Sequence, residues 1–195
     1  MQTWVMAKSE DAEPPEMSPE EHQAAAAQVP IVSTAYRFLE HFYSDDDLTI
    51  AWDDVDPVLR LCWAQWWLDA NRRAIVEAGY GVEEVAAAFV RESGTHPLWP
   101  DFERVILRDL RRAHPLDVAR AGIGMTPRPL DVDVELLYAH HHVPEGGQWE
   151  SGATSSAVAL VLRLSEGRWR VLNLGYERIP EPGLSLVTAS RAGIA

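Results

Sequence analysis

Apolar residues recur at helical spacing up to about residue 115 and at alternate positions after residue 130, and this change of period constrains the fold more than any other feature. Helices come first and strands last, so the layers are segregated. That order predicts an α+β chain with helices packed on an antiparallel sheet. Residues 33–43 (STAYRFLEHFY) place Tyr36, Leu39 and Tyr43 on one stripe with Phe38 and Phe42 beside it. Asp56-Pro57 starts a second helix, because Asp accepts from free first-turn amides and Pro fits the first helical position. This helix runs to Gly79, a natural stop, and Leu59, Trp63, Trp66, Trp67, Ala70 and Ala74 make one wide apolar face. A third helix covers Val82 to Glu92. A fourth begins at Trp99-Pro100 and ends at His114, before Pro115.

A Pro/Gly-rich connection over 115–130 leads to DVDVELLYAHHHV, residues 131–143, which reads as one long strand. Val132, Val134, Leu136, Tyr138, His140 and His142 share one side, and Asp131, Asp133 and Glu135 begin the other. The acids mark the second side as wet, so Tyr138, His140 and His142 are expected to face the helices. Gly146-Gly147 ends the strand. Residues 157–164 then pair with 168–174 across Ser165-Glu166-Gly167. A two-residue Glu-Gly turn sets Leu164 opposite Trp169 and Leu162 opposite Val171, leaving Arg163, Arg168 and Arg170 on the wet side; a three-residue turn with a bulge reverses this. Leu184 to Thr188 reads as a weaker edge strand.

The net charge is −13 and the only lysine is Lys8, so a basic face for nucleic acid or an anionic membrane is not expected. Schiff-base chemistry and a phosphate-binding loop with its lysine are set aside for the same reason, and no cofactor motif is present. The single cysteine, Cys62, excludes an intrachain disulfide. Its helical position without a placed base reads as a small buried hydrophobe. Residues 1–30 are Glu/Pro/Ala-rich and are expected to form a disordered acidic arm, followed by a single domain over 31–195. No signal-peptide pattern or membrane-length apolar run is seen, which points to the cytoplasm.

The last hairpin, with its aliphatic strand, Glu-Gly turn and GRWRVLNLGYE, resembles the nuclear-transport-factor-two-like superfamily, the cone-shaped fold shared by ketosteroid isomerases and SnoaL-type cyclases. The likeness covers roughly residues 33–180. DPVLRLCWAQWWLDAN and HPLWPDFERVILRDL are similar to uncharacterised actinobacterial proteins of that superfamily. The resemblance implies a curved sheet enclosing a pocket against the helices. With the strand parity above, Tyr138, His140, His142, Trp169, Val171 and Asn173 line that pocket and Trp63, Trp66 and Trp67 close its far wall. The ligand expected there is a hydrophobic small molecule.

Steroid-isomerase-type chemistry requires an inward carboxylate base, and this parity assigns no inward Asp or Glu to the sheet. The catalytic alternative is His140 or His142 as base, with Tyr138 donating to a developing oxyanion. His140 and His142 share a strand face but make only two metal ligands, and His96, His114 or Glu150 as a third is a guess, so no metal site is assigned. A cupin is excluded by the lack of a partner histidine after residue 142. Asp45-Asp46-Asp47 and Asp53-Asp54-Asp56 miss the calcium-loop pattern at Thr49 and Ile50, and read as solvated loop plus the helix cap at Asp56. Arg104, Arg108, Arg111 and Arg112, interleaved with Asp101 and Asp109, read as a solvated helix face, the alternative being a dock for the acidic arm. A third class of function is a homodimer formed through the outer sheet face, with Arg163, Arg168 and Arg170 against Asp133 and Glu135.

Overall fold

Five helices lead and five short strands follow in the computed structural model, which describes residues 18–124, 127–142 and 156–183. The first helix, α1 (Pro19–Ser44), is longer than its aromatic stripe, and Pro30 lies inside it. The expected boundary between arm and domain at residue 30 therefore falls within a helix. Residues 1–17 of the arm lie outside the described residues. Ile31, Ala35, Phe38, Leu39 and Phe42 form the buried face of α1, while Tyr36 is exposed. A five-residue helix, α2 (Leu48–Trp52), occupies what reads as an acidic loop, capped by the Asp47 side chain, which accepts from the Thr49 amide at 2.7 Å. Next come α3 (Pro57–Glu77), α4 (Val82–Arg91) and α5 (Trp99–Ala113). All three match the periodicity. The Asp56 carboxylate caps α3 through the Val58 amide at 2.8 Å.

The strands are β1 (Gly122–Ile123), β2 (Arg128–Asp131), β3 (Val134–His140), β4 (Ala157–Ser165) and β5 (Arg168–Leu174). They form a curled antiparallel half-barrel in the order β1-β3-β4-β5, with β2 also paired to β3. The expected α+β class with helices on a curved sheet is what the structure shows. Glu166 and Gly167, with φ of 54° and 73°, make the two-residue turn between β4 and β5. The register is the expected one, with Leu164 opposite Trp169 and Leu162 opposite Val171.

Residues 131–143 are not one strand. Asp131 ends β2, its carboxylate accepts from the Val132 amide at 2.7 Å, and Asp133 takes a positive φ of 58° before β3 starts. Gly146-Gly147 and the edge strand at 184–188 lie outside the described residues. Where β5 bulges at Leu172, residues 54–56 run beside it: the Val171 amide donates to the Asp54 carbonyl at 2.7 Å, and the Asp56 amide to the Val171 carbonyl at 2.8 Å. The link before α3 thereby covers the free edge of the sheet.

Candidate functional site

Large rings fill the interior that the sequence reading leaves as a void. Trp52 lies 5.9 Å from Trp63 and 5.1 Å from Trp99 between ring centroids, Trp67 is 6.0 Å from Phe102, and Phe89 is 4.5 Å from Phe102. Trp63 and Trp67 are thus buried members of the core, and Trp66 packs half-buried against it. Trp63 and Trp67 stack on rings of other helices, away from the sheet-lined pocket assigned to them. The Trp52 indole donates to the Phe89 carbonyl at 2.9 Å, satisfying its polar end. Arg60 lies over the same indole and donates to the carbonyls of Val55, Val90 and Trp52 at 3.0, 3.0 and 2.6 Å. One guanidinium thereby ties α2, α4 and the link before α3 to the start of α3. Cys62 of α3 is buried, and burial pushes its thiol up to about 11.

The strand parity expected for β3 is reversed. Leu137 and Ala139 join the helix-facing core with Val158, Leu160, Leu162 and Val171, whereas Val134, Leu136 and Tyr138 pack with Ala159, Val161 and Leu172 on the opposite face. Tyr138 and His140 therefore point away from the helices, their rings 6.5 Å apart, whereas Trp169 packs against the helix-facing core as expected. His142 is exposed beyond the strand end. Asn173 also departs from expectation: the bulge pairs it with Val161, and it donates to the Arg178 carbonyl at 2.7 Å. Burial, and then a hydrogen bond to Glu177, raise the Tyr138 phenol above its ordinary range. Glu135 is the inward carboxylate the sequence reading does not assign, since it alternates with Leu137 and Ala139. Its Oε2 is buried with no hydrogen-bond partner among the described residues.

Asp54 and Asp56 are not solvated. Asp54 is 2% exposed and Asp56 0%, and each is gripped by a guanidinium. Arg37 Nε donates to Asp54 Oδ2 at 2.6 Å and Arg37 Nη2 to Oδ1. Arg163 donates through Nε and Nη2 to the two oxygens of Asp56 at 2.9 and 2.6 Å. These bidentate forks join α1 and β4 to the link before α3. They also engage Arg163, and Arg170 reaches Glu166 at 3.6 Å, so two of the three arginines assigned to a dimer face have partners within the chain. On α5, Arg104 pairs with Asp101 and Arg108 with Asp109 as a solvated face does. Arg111 instead donates to the Phe42 carbonyl at 2.8 Å and to the Asp45 carbonyl, closing the end of α1.

His114 follows α5 and stacks edge-on to Tyr176, with its Nε2 buried and unbonded among the described residues. Burial lowers its pKa. A histidine kept neutral on folding but free to charge when unfolded lets the unfolded chain bind more protons below its ordinary pKa of about 6.5, so stability falls as pH drops below that value. His114→Gln is expected to flatten the profile between pH 7.5 and 5 in urea melts; parallel profiles for the two proteins would count against this coupling.

Several openings lie among the described residues, three of which bear on the site. The cleft between α3 and α5 has a volume of about 290 Å³, an apolar floor including Trp67, Ile75 and Val105, and a polar rim of Asn71, Asp101 and Arg104. A shallower depression of about 540 Å³ lies between α3 and α4. The third, of about 270 Å³, lies between α1 and the β4–β5 turn. Among the described residues no group of three or more His, Cys, Asp or Glu is placed to hold a metal ion, and no helix is long and apolar enough to cross a membrane.

The fold is that of an α+β domain whose helices cover one face of a half-barrel sheet. No protein-family model, curated protein or solved structure matches the chain.

Proposed function

We propose that the chain is a small-molecule-binding or accessory domain, a nuclear-transport-factor-two-like cone whose ligand sits in the cleft between α3 and α5. The single observation that carries this is the composition of the cleft: the buried Trp67 and Ile75, with Ala74, Leu98 and Val105, line it beside three polar side chains, Asn71, Asp101 and Arg104. A recess with an apolar floor and a few convergent polar groups is the usual form of a small-molecule site. The polar rim is itself ordered. Asn71 donates to the Trp67 carbonyl at 2.8 Å, and Arg104 pairs with Asp101 at 2.5 Å. The ligand class is a compact, neutral aromatic or alicyclic molecule, because the floor offers area without charge. The cleft is preferred to the sheet-lined pocket because, among the described residues, Trp63 and Trp67 pack on rings of α1, α2, α4 and α5.

Thermal melts with indole, 2-naphthol and cyclohexanol test the proposal. Saturating binding at a hundred times Kd stabilises by about 2.7 kcal/mol, a shift of several degrees for a chain of this size. Ala74 lines the cleft from the exposed side of α3, so Ala74→Trp is expected to plug it without entering the core. A shift in the parent that vanishes in the plugged variant supports the site. No shift with any of the three probes, or one that survives Ala74→Trp, overturns it.

A further inference from the structure

We propose that the pocket between α1 and the β4–β5 turn binds a small organic anion, a carboxylate or phosphate monoester carrying a flat apolar group. In a chain of net charge −13, this pocket is lined by two guanidiniums and no carboxylate. Arg37 enters from α1, Arg168 and Trp169 from the start of β5, and Ser33 and Thr34 supply hydroxyls. Beneath both arginines lies one carboxylate, Asp54, with its side chain 4% exposed. Arg37 holds it bidentately, and Arg168 Nη2 stays 3.8 Å away. Two positive charges thus share one negative charge. The nearby acid of the turn, Glu166, is directed to Arg170 at 3.6 Å.

Both arginine side chains remain about half exposed, at 50% and 55%, so their outer N–H groups are open to a ligand. Asp54 fixes the Arg37 fork from behind, which lowers the ordering cost of a second bidentate contact. Gly167, at φ +73°, presents no side chain at the mouth, and Trp169 offers an indole to a planar group. Arg168, which reaches Asp54 only through the 3.8 Å approach of Nη2, is the residue on which recognition turns.

The test is calorimetric titration of the full chain at fixed ionic strength with sodium benzoate, phenyl phosphate, inorganic phosphate and neutral benzamide. Benzoate or phenyl phosphate is expected to bind and to change the tryptophan emission, with the tighter of the two naming the anion class. Benzamide is expected to bind at least about tenfold more weakly, and Arg168→Gln to weaken the anion by a similar factor, the scale of one charged hydrogen bond. Ala74→Trp should leave the titration unchanged, which separates this site from the α3–α5 cleft. Equal binding of benzoate and benzamide, an unchanged Kd in Arg168→Gln, or no heat with either organic anion overturns the proposal.

Discussion

Asp56→Ala is expected to lower the free energy of unfolding by about 3–4 kcal/mol, near the lower end of the cost of breaking a buried pair. Surface ion pairs contribute about 0–1 kcal/mol, but this carboxylate is 0% exposed and accepts three hydrogen bonds at once. It accepts two guanidinium bonds from Arg163, and it caps α3 through the Val58 amide. Losing the cap alone costs about 1 kcal/mol. Arg163 is 32% exposed and can turn to water once its partner is gone, which limits the remaining loss. The reverse truncation should be worse. Arg163→Met leaves Asp56 charged with no path to solvent, so its urea midpoint is expected below that of Asp56→Ala. Asp56→Asn combined with Arg163→Met keeps a capping side chain and removes both charges, and most of the stability should return. Chemical denaturation of the three variants decides it: a cost under about 1 kcal/mol for Asp56→Ala, the value of an ordinary surface pair, contradicts the network as drawn.

The same residues show where sequence reasoning stops. The cap at Asp56 is legible because its partner amide is two residues away and the Asp-Pro signal is local. Its burial is not, since Arg163 stands 107 residues further on. The register of β4 against β5 is legible because a two-residue turn couples chain direction to side-chain alternation. The sidedness of β3 is hidden by two features. Both faces of the strand are buried, so hydrophobicity does not alternate, and the acids that mark one side as wet, Asp131 and Asp133, belong to the exposed turn between β2 and β3. Glu135, the third acid, follows the true parity inward. One bulged residue at Leu172 likewise moves Asn173 off the face assigned to it. Eight tryptophans announce a large apolar payload without saying whether rings line a space or fill it; the stacking of Trp52, Trp63 and Trp67 across α2, α3, α4 and α5 shows that they fill it.

Gly175→Ala is the second large effect, expected to cost about 2–5 kcal/mol. Gly175 ends β5 at φ +83°, where a Cβ costs about 1–2 kcal/mol in backbone strain alone. A methyl group there also overlaps the His114 ring, and overpacking of this kind costs about 1–3 kcal/mol. Neither partner is free to retreat. The Gly175 amide donates to the Ala159 carbonyl at 2.7 Å, and the Tyr43 phenol donates to the His114 carbonyl at 2.5 Å, fixing the end of α5 against α1. Burial holds that phenol protonated well above its ordinary range, so the tie persists across the working pH range. His114→Ala removes the ring and keeps the carbonyl. If overlap is the main cost, Gly175→Ala should hurt far less in the His114→Ala background, with a coupling of about 1–3 kcal/mol in a double-mutant cycle. Strictly additive losses would assign the whole effect to the positive φ and leave the close approach of β5 to the end of α5 without energetic weight.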